Sequence, residues 1–165
     1  MAKNFAFIDG SNLHCSIKKD LGWNLDNNKF RRYLTDKYSV SIAYYFMGYH
    51  SKYEYLYYSL KRAGYELVFK PTTIKPDGEI KGNVDSDMVF SIRDKADEFD
   101  NAIIVAGDGD YLPIIDYLKN NNKLLRIIIP NKNSYSALLR HHSQYFDYIS
   151  DLKNKLEYIK KTRIV

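Results

Sequence analysis

The chain has 165 residues with a net charge of +5, 45% apolar and 27% charged residues, ordinary values for one soluble globular domain with a real core. No apolar run approaches the ~20 residues needed to cross a bilayer, and Asp9 cuts short the stretch at 5–8, which speaks against a signal peptide. A single cysteine, Cys15, rules out an intrachain disulfide and a cysteine zinc cluster, so the expected location is cytoplasmic.

In chain order, residues 4–8 read as a strand and 11–20 as a helix opened by a Ser11 cap, with Leu13 and Ile17 on one face. A second helix is expected at 27–38, a strand at 40–47, and a helix at 52–63 stopped by Gly64. A strand follows at 65–70. Residues 71–82 hold two Pro and two Gly and read as a loop. Residues 85–99 carry a helical apolar stripe at Met88, Val89, Ile92, Ala96 and Phe99. The continuous apolar run at 102–106 fits a strand covered on both faces. Then come a helix at 111–119, a strand at 124–129 ended by Pro130, a helix at 134–141, a short strand at 145–149 and a terminal helix at 151–161. The organisation is one domain over 1–150 and a basic C-terminal helix or tail over 151–165. Strands alternating with helices predict an α/β fold, a three-layer sandwich around a mainly parallel sheet.

Functional groups in this class gather beyond the carboxyl ends of the strands. Asp9 leaves the first strand in F-I-D-G-S-N, and Asp108 and Asp110 leave the most buried strand in I-I-V-A-G-D-G-D-Y. Asp85, in K-G-N-V-D-S-D, opens a helix whose N-terminus lies at the same edge. It precedes Met88 and Val89 by three and four residues, which puts it on the sheet-facing stripe. Asp87 is about 200° round the helix from it and points elsewhere. Each feature alone has a plain structural reading: Asp9-Gly10 as a tight turn, Asp85 or Asp110 as a helix cap. Together they are harder to dismiss. Carboxylates ~4 Å apart repel by roughly 4 kcal/mol per pair at an effective dielectric of ~20, so the cluster calls for protons or a cation. All-oxygen ligands suit Mg²⁺ or Mn²⁺.

Asn12 either satisfies backbone near the helix start or holds a metal-bound water. Lys81 contacts phosphate or is an ordinary loop charge. The four His (His14, His50, His141 and His142) are scattered without metal-ligand spacing. The positive balance, with a pI near 9.1, favours an anionic partner. The 16 Tyr mostly serve packing, and exposed ones offer stacking surfaces for bases.

Taken together, F-I-D-G-S-N, K-G-N-V-D-S-D-M-V and I-I-V-A-G-D-G-D-Y-L-P resemble the NYN domain family, in its LabA-like branch, within the PIN-like nuclease superfamily, over about 3–149. The resemblance implies a PIN-like α/β/α sandwich and a metal-dependent ribonuclease site. By position it implies Asp9, Asp85, Asp108 and Asp110 as catalytic metal ligands or their close supports, with Asn12 adjacent. Ser91 and Ala106 depart from the pattern: many relatives carry an acidic or other polar ligand at the first and Ser or Thr at the second. The expected activity is Mg²⁺- or Mn²⁺-dependent cleavage of single-stranded RNA, with Ser11, Asn12, Lys81 and Asp87 on the substrate side and a homodimer left open. The alternative is a weakly active or inactive RNA- or protein-binding regulatory module. A phosphatase or receiver domain is disfavoured, because Ser11 occupies the place of the second Asp that a haloacid-dehalogenase-type site requires.

Overall fold

The computed structural model describes residues 1–70, 73–77, 80–81 and 84–162, with the side chains of 73, 74, 80 and 81 outside that description. Its frame starts with β1 (Asn4–Asp9), buried along its whole length. The pleat sends Ala6 and Ile8 into one core and Phe5 and Phe7 into the other. By the same alternation Asp9 belongs to the face of Phe5 and Phe7.

β1 runs into α1 (Gly10–His14) and then, through α2 (Asn27–Tyr38), β2 (Val40–Gly48), α3 (Glu54–Ala63) and β3 (Tyr65–Lys70), builds one half of the sheet. Past β4 (Thr73–Ile74) and β5 (Ile80–Lys81), the chain returns by α4 (Asp85–Asp94) to build β6 (Asn101–Val105), α5 (Leu112–Asn120), β7 (Leu124–Ile129) and β8 (Phe146–Tyr148). Six parallel strands result, in the order β3-β2-β1-β6-β7-β8. The strand order reverses between β1 and β6, which opens a crevice at their carboxyl ends. α1, α2, α3 and the short α6 (Lys153–Leu156) supply one core, through Leu13, Phe30, Leu34, Tyr57, Leu60 and Leu156. α4 and α5 supply the other through Met88, Ile92, Ile114, Ile115 and Leu118. The expected three-layer sandwich around a parallel sheet is the observed one.

Several elements differ from the sequence reading in their bounds, each for a local reason. The first helix starts at Gly10, because Asp9 and not Ser11 is its cap, and residues Cys15–Asp20 widen into a π-helical turn. The segment at 71–82 is not all loop: β4 and β5 pair antiparallel. Pro71, Gly78, Gly82 and Asn83 lie outside the described residues. α4 stops at Asp94, and tighter turns such as Glu98 N–H to the Lys95 carbonyl (2.8 Å) tuck Phe99 against Phe5 and Phe7 at 5.6 Å between ring centroids. Residues Ala137–Tyr145 form a 3₁₀ helix capped by Ser136, which lines up the buried Leu139 and His142 three residues apart. The expected terminal helix is shorter, a 3₁₀ turn over Ile149–Leu152 followed by α6. Beyond it the chain pairs back, with Tyr158 N–H donating to the Asn24 carbonyl at 2.8 Å. Gly64, at φ +102°, ends α3 in the left-handed conformation expected of it.

Candidate metal centre

Asp9 is 3% exposed and is held by hydrogen bonds where β1 becomes α1. Its Oδ1 accepts from the Asn12 backbone N–H at 3.0 Å and its Oδ2 from the Tyr111 hydroxyl at 2.8 Å. The next residue must be Gly, since a Cβ at position 10 would sit 2.7 Å from the Phe46 carbonyl and collide with the Tyr45 ring. Asp9 is thereby held at the start of the crevice by the strand, the cap and the close approach of β2.

Asp85 is the first residue of α4 and is 8% exposed. The cap position belongs to Val84, so the carboxylate of Asp85 is not used as an N-cap. Its Oδ1 accepts from the same Tyr111 hydroxyl at 2.9 Å. Asp87 is exposed, two residues round the helix from Asp85, as helical geometry requires.

Asp108 follows β6 and caps the 3₁₀ turn Gly109–Tyr111, its Oδ1 accepting from the Asp110 N–H at 2.9 Å. That turn buries Tyr111 completely beneath the acidic group. Asn12 joins the two strand ends: its Oδ1 accepts from the Gly107 N–H at 2.9 Å. The side chain of Asn12 therefore satisfies backbone, though of a turn 95 positions away rather than of its own helix. Ser11 is exposed, and the side chain of Lys81 lies outside the described residues.

The structure thus brings all four predicted aspartates to one edge, in an unequal arrangement. Carboxylate oxygens of Asp85, Asp108 and Asp110 lie within 4.8 Å of one another. Asp9 stands behind them, tied to Asp85 directly and through Tyr111. Burial pushes the Asp9 carboxyl above its ordinary range, and the charge of Asp108 adds to this, while its hydrogen bonds to Asn12, Tyr111 and Asp85 oppose it. Burial, then the two carboxylates, holds the Tyr111 hydroxyl far above the usual tyrosine range, so it stays a donor. One hydroxyl proton facing two carboxylates satisfies only one of them at a time. A further proton or a cation is needed to complete the group.

The donor set fits a hard divalent cation. Octahedral Mg²⁺ at about 2.1 Å from each oxygen sets ligand oxygens roughly 3–4 Å apart, so small side-chain movements within the Asp85–Asp108–Asp110 group suffice.

Two features escaped the sequence reading. Periodicity makes Tyr111 only the start of a helix, although it directly follows Asp110 in the motif. The histidines are scattered along the sequence, but ring nitrogens of His141 and His142 lie within 4.8 Å of each other and of an Asp116 carboxylate oxygen. No spacing rule reveals that contact, because Asp116 comes from α5, 26 residues before His142.

Solved structures share this fold. A protein of unknown function from Vibrio parahaemolyticus superposes with a TM-score of 0.78 at 22% identity, over 95% of this chain and 96% of that one. A T5 protein co-crystallised with metal ions gives a TM-score of 0.50 at 13% identity, over 86% of this chain and 60% of that one. At these identities the likeness is one of fold. No curated protein matches the sequence significantly. Residues 5–151, which include all four aspartates, Tyr111 and every strand of the six-stranded sheet apart from the first residue of β1, match the NYN domain; the chain belongs to the NYN domain family.

Proposed function

We propose that the protein is a metal-dependent nuclease that cleaves phosphodiester bonds in single-stranded RNA, with Asp85, Asp108 and Asp110 holding Mg²⁺ or Mn²⁺ and Asp9 supporting them. The observation that carries this reading is the group of four carboxylates and one hydroxyl proton at the crevice between β1 and β6. Membership of the NYN domain family supports it, as does the likeness of fold to a T5 protein co-crystallised with metal ions. A divalent cation in such a site activates water and offsets the charge that develops on phosphate.

The chain's own residues prepare the site. Asn12 locks the Asp108 turn to the end of β1, so the carboxylates keep their spacing as substrate enters. Tyr111 holds Asp9 and Asp85 together and keeps water from the back of the group. The cap hydrogen bond of Asp108 uses its Oδ1 and leaves Oδ2 outside that bond.

The single-stranded preference rests on aromatic surface at the same edge. Tyr49, Tyr53, Tyr55 and Tyr58 are exposed just past the carboxyl end of β2, and stacking of splayed bases needs such rings. A cavity of about 420 Å³ starts at Gly10 and Ser11 and is walled by Trp23, Tyr45, Tyr53 and Tyr57, with His14 and Lys18 at its side. The net charge of +5 draws a polyanion to the molecule despite the acidic centre. Placement in the LabA-like branch rests on the two longer motifs, and a cytoplasmic location on the lone Cys15. Among the described residues no helix is long and apolar enough to cross a membrane.

Cleavage of labelled single-stranded RNA in Mg²⁺ or Mn²⁺ tests the proposal. Wild type should cut and stop in chelator, and Asp85→Asn and Asp108→Asn should each lose at least a hundredfold. RNA bound without turnover in either metal would replace this reading with that of a regulatory binding module.

A further inference from the structure

Apart from the acidic centre, a second group of metal-grade donors sits where α5 meets the 3₁₀ segment Ala137–Tyr145. His142 is 2% exposed, and its Nε2 lies 2.6 Å from Asp116 Oδ1. Its Nδ1 has no hydrogen-bond partner among the described residues. His141 lies alongside, with 4.4 Å between the ring centroids. A nitrogen of each ring and an Asp116 oxygen fall within 4.8 Å of one another. A buried histidine pinned by one carboxylate accounts for His142 and Asp116. It gives no reason for a second imidazole to share the spot.

The geometry points to a site for a borderline divalent cation, Zn²⁺ in the first instance, bound by Asp116, His141 and His142 and separate from the acidic centre. Two imidazoles with one carboxylate suit Zn²⁺, whereas Mg²⁺ prefers an all-oxygen set. Zinc bonds of about 2.0–2.1 Å place tetrahedral donors roughly 3.4 Å apart. The 2.6 Å contact must open a little and His141 must close in. The buried His142 is the fixed point, while Asp116, with 47% of its side chain exposed, and the exposed His141 are free to adjust. Coordination through Nε2 leaves the ring proton on Nδ1, which lacks an acceptor. The affinity is therefore expected to be micromolar rather than that of a fully supported zinc site.

The site has a consequence for the crevice. α5 follows directly on the turn that carries Asp108, Asp110 and Tyr111. The 137–145 segment follows Ser136, whose N–H donates to the Gly107 carbonyl at 2.9 Å. A cation joining the two segments braces the Asp108 turn from behind.

The test is equilibrium dialysis of tag-free protein against Zn²⁺ raised from micromolar to well above it, with millimolar Mg²⁺ present to fill the acidic centre, counting zinc per chain at saturation. Wild type should hold one equivalent. His141→Ala and Asp116→Asn, both changes of accessible side chains, should weaken zinc binding at least tenfold, and Asp108→Asn should retain it. Wild type without zinc would overturn the proposal. So would unchanged binding in the first two variants, or its loss in Asp108→Asn, which would assign the zinc to the acidic centre.

Discussion

Replacing Tyr111 with Phe removes a single oxygen from a fully buried ring, leaving packing intact while Asp9 and Asp85 lose their common donor. A hydrogen bond to a charged group contributes about 1.5–3 kcal/mol, and the one proton serves one carboxylate at a time, so a single bond is the unit to count. The loss leaves two buried acids, 3% and 8% exposed, facing each other. A cost of about 2–3 kcal/mol follows in the absence of metal, or about 4–12 °C in Tm at the 2–4 °C per kcal/mol usual for domains of this size. The assay is thermal unfolding of both proteins in chelator and in millimolar Mn²⁺. Because a cation neutralises the same carboxylates, Mn²⁺ should stabilise the variant more than wild type and narrow the gap. A gap below 1 °C in chelator, or one of equal size with and without Mn²⁺, would refute the view that the hydroxyl and a cation serve the same group.

Gly10→Ala should be among the most damaging single-methyl changes, because the backbone carbonyl of Phe46 and the Tyr45 ring already occupy the space. A loss of roughly 3 kcal/mol or more in urea unfolding is expected, and a change under 1 kcal/mol would show that β2 yields there. Asp9 makes apo stability depend on pH. Its folded pKa is raised above 3.8, so the folded state binds the extra proton, and the contribution present below 3.8 is lost as pH rises through the folded value. Asp9→Asn should therefore be more stable than wild type in chelator at neutral pH, by roughly 1–3 kcal/mol for a buried charge removed, with the gain shrinking toward pH 4. An equal gain at both pH values would exclude Asp9 as the source.

Much of this molecule is legible along the chain. The apolar runs that became β1, β6 and β7, the Gly64 stop and the aspartates at strand ends are local signals, set by periodicity, capping and the burial of a parallel sheet. Because helices return antiparallel to strands, even the meeting of Asp9, Asp85 and Asp108 at one edge follows from the order of elements. What local pattern could not decide is which oxygen answers which proton. Asp9 rather than Ser11 caps α1, Asp108 rather than Asp110 caps the following turn, and Tyr111 turns inward to bridge two acids. The link from Asn12 to Gly107 and the meeting of His142 with Asp116 likewise join residues 95 and 26 positions apart. Those choices depend on distances between elements after packing, and side-chain hydrogen bonds act over about 3 Å. Periodicity and spacing therefore determined the layers and the acidic edge, while the packed arrangement alone assigned the partners.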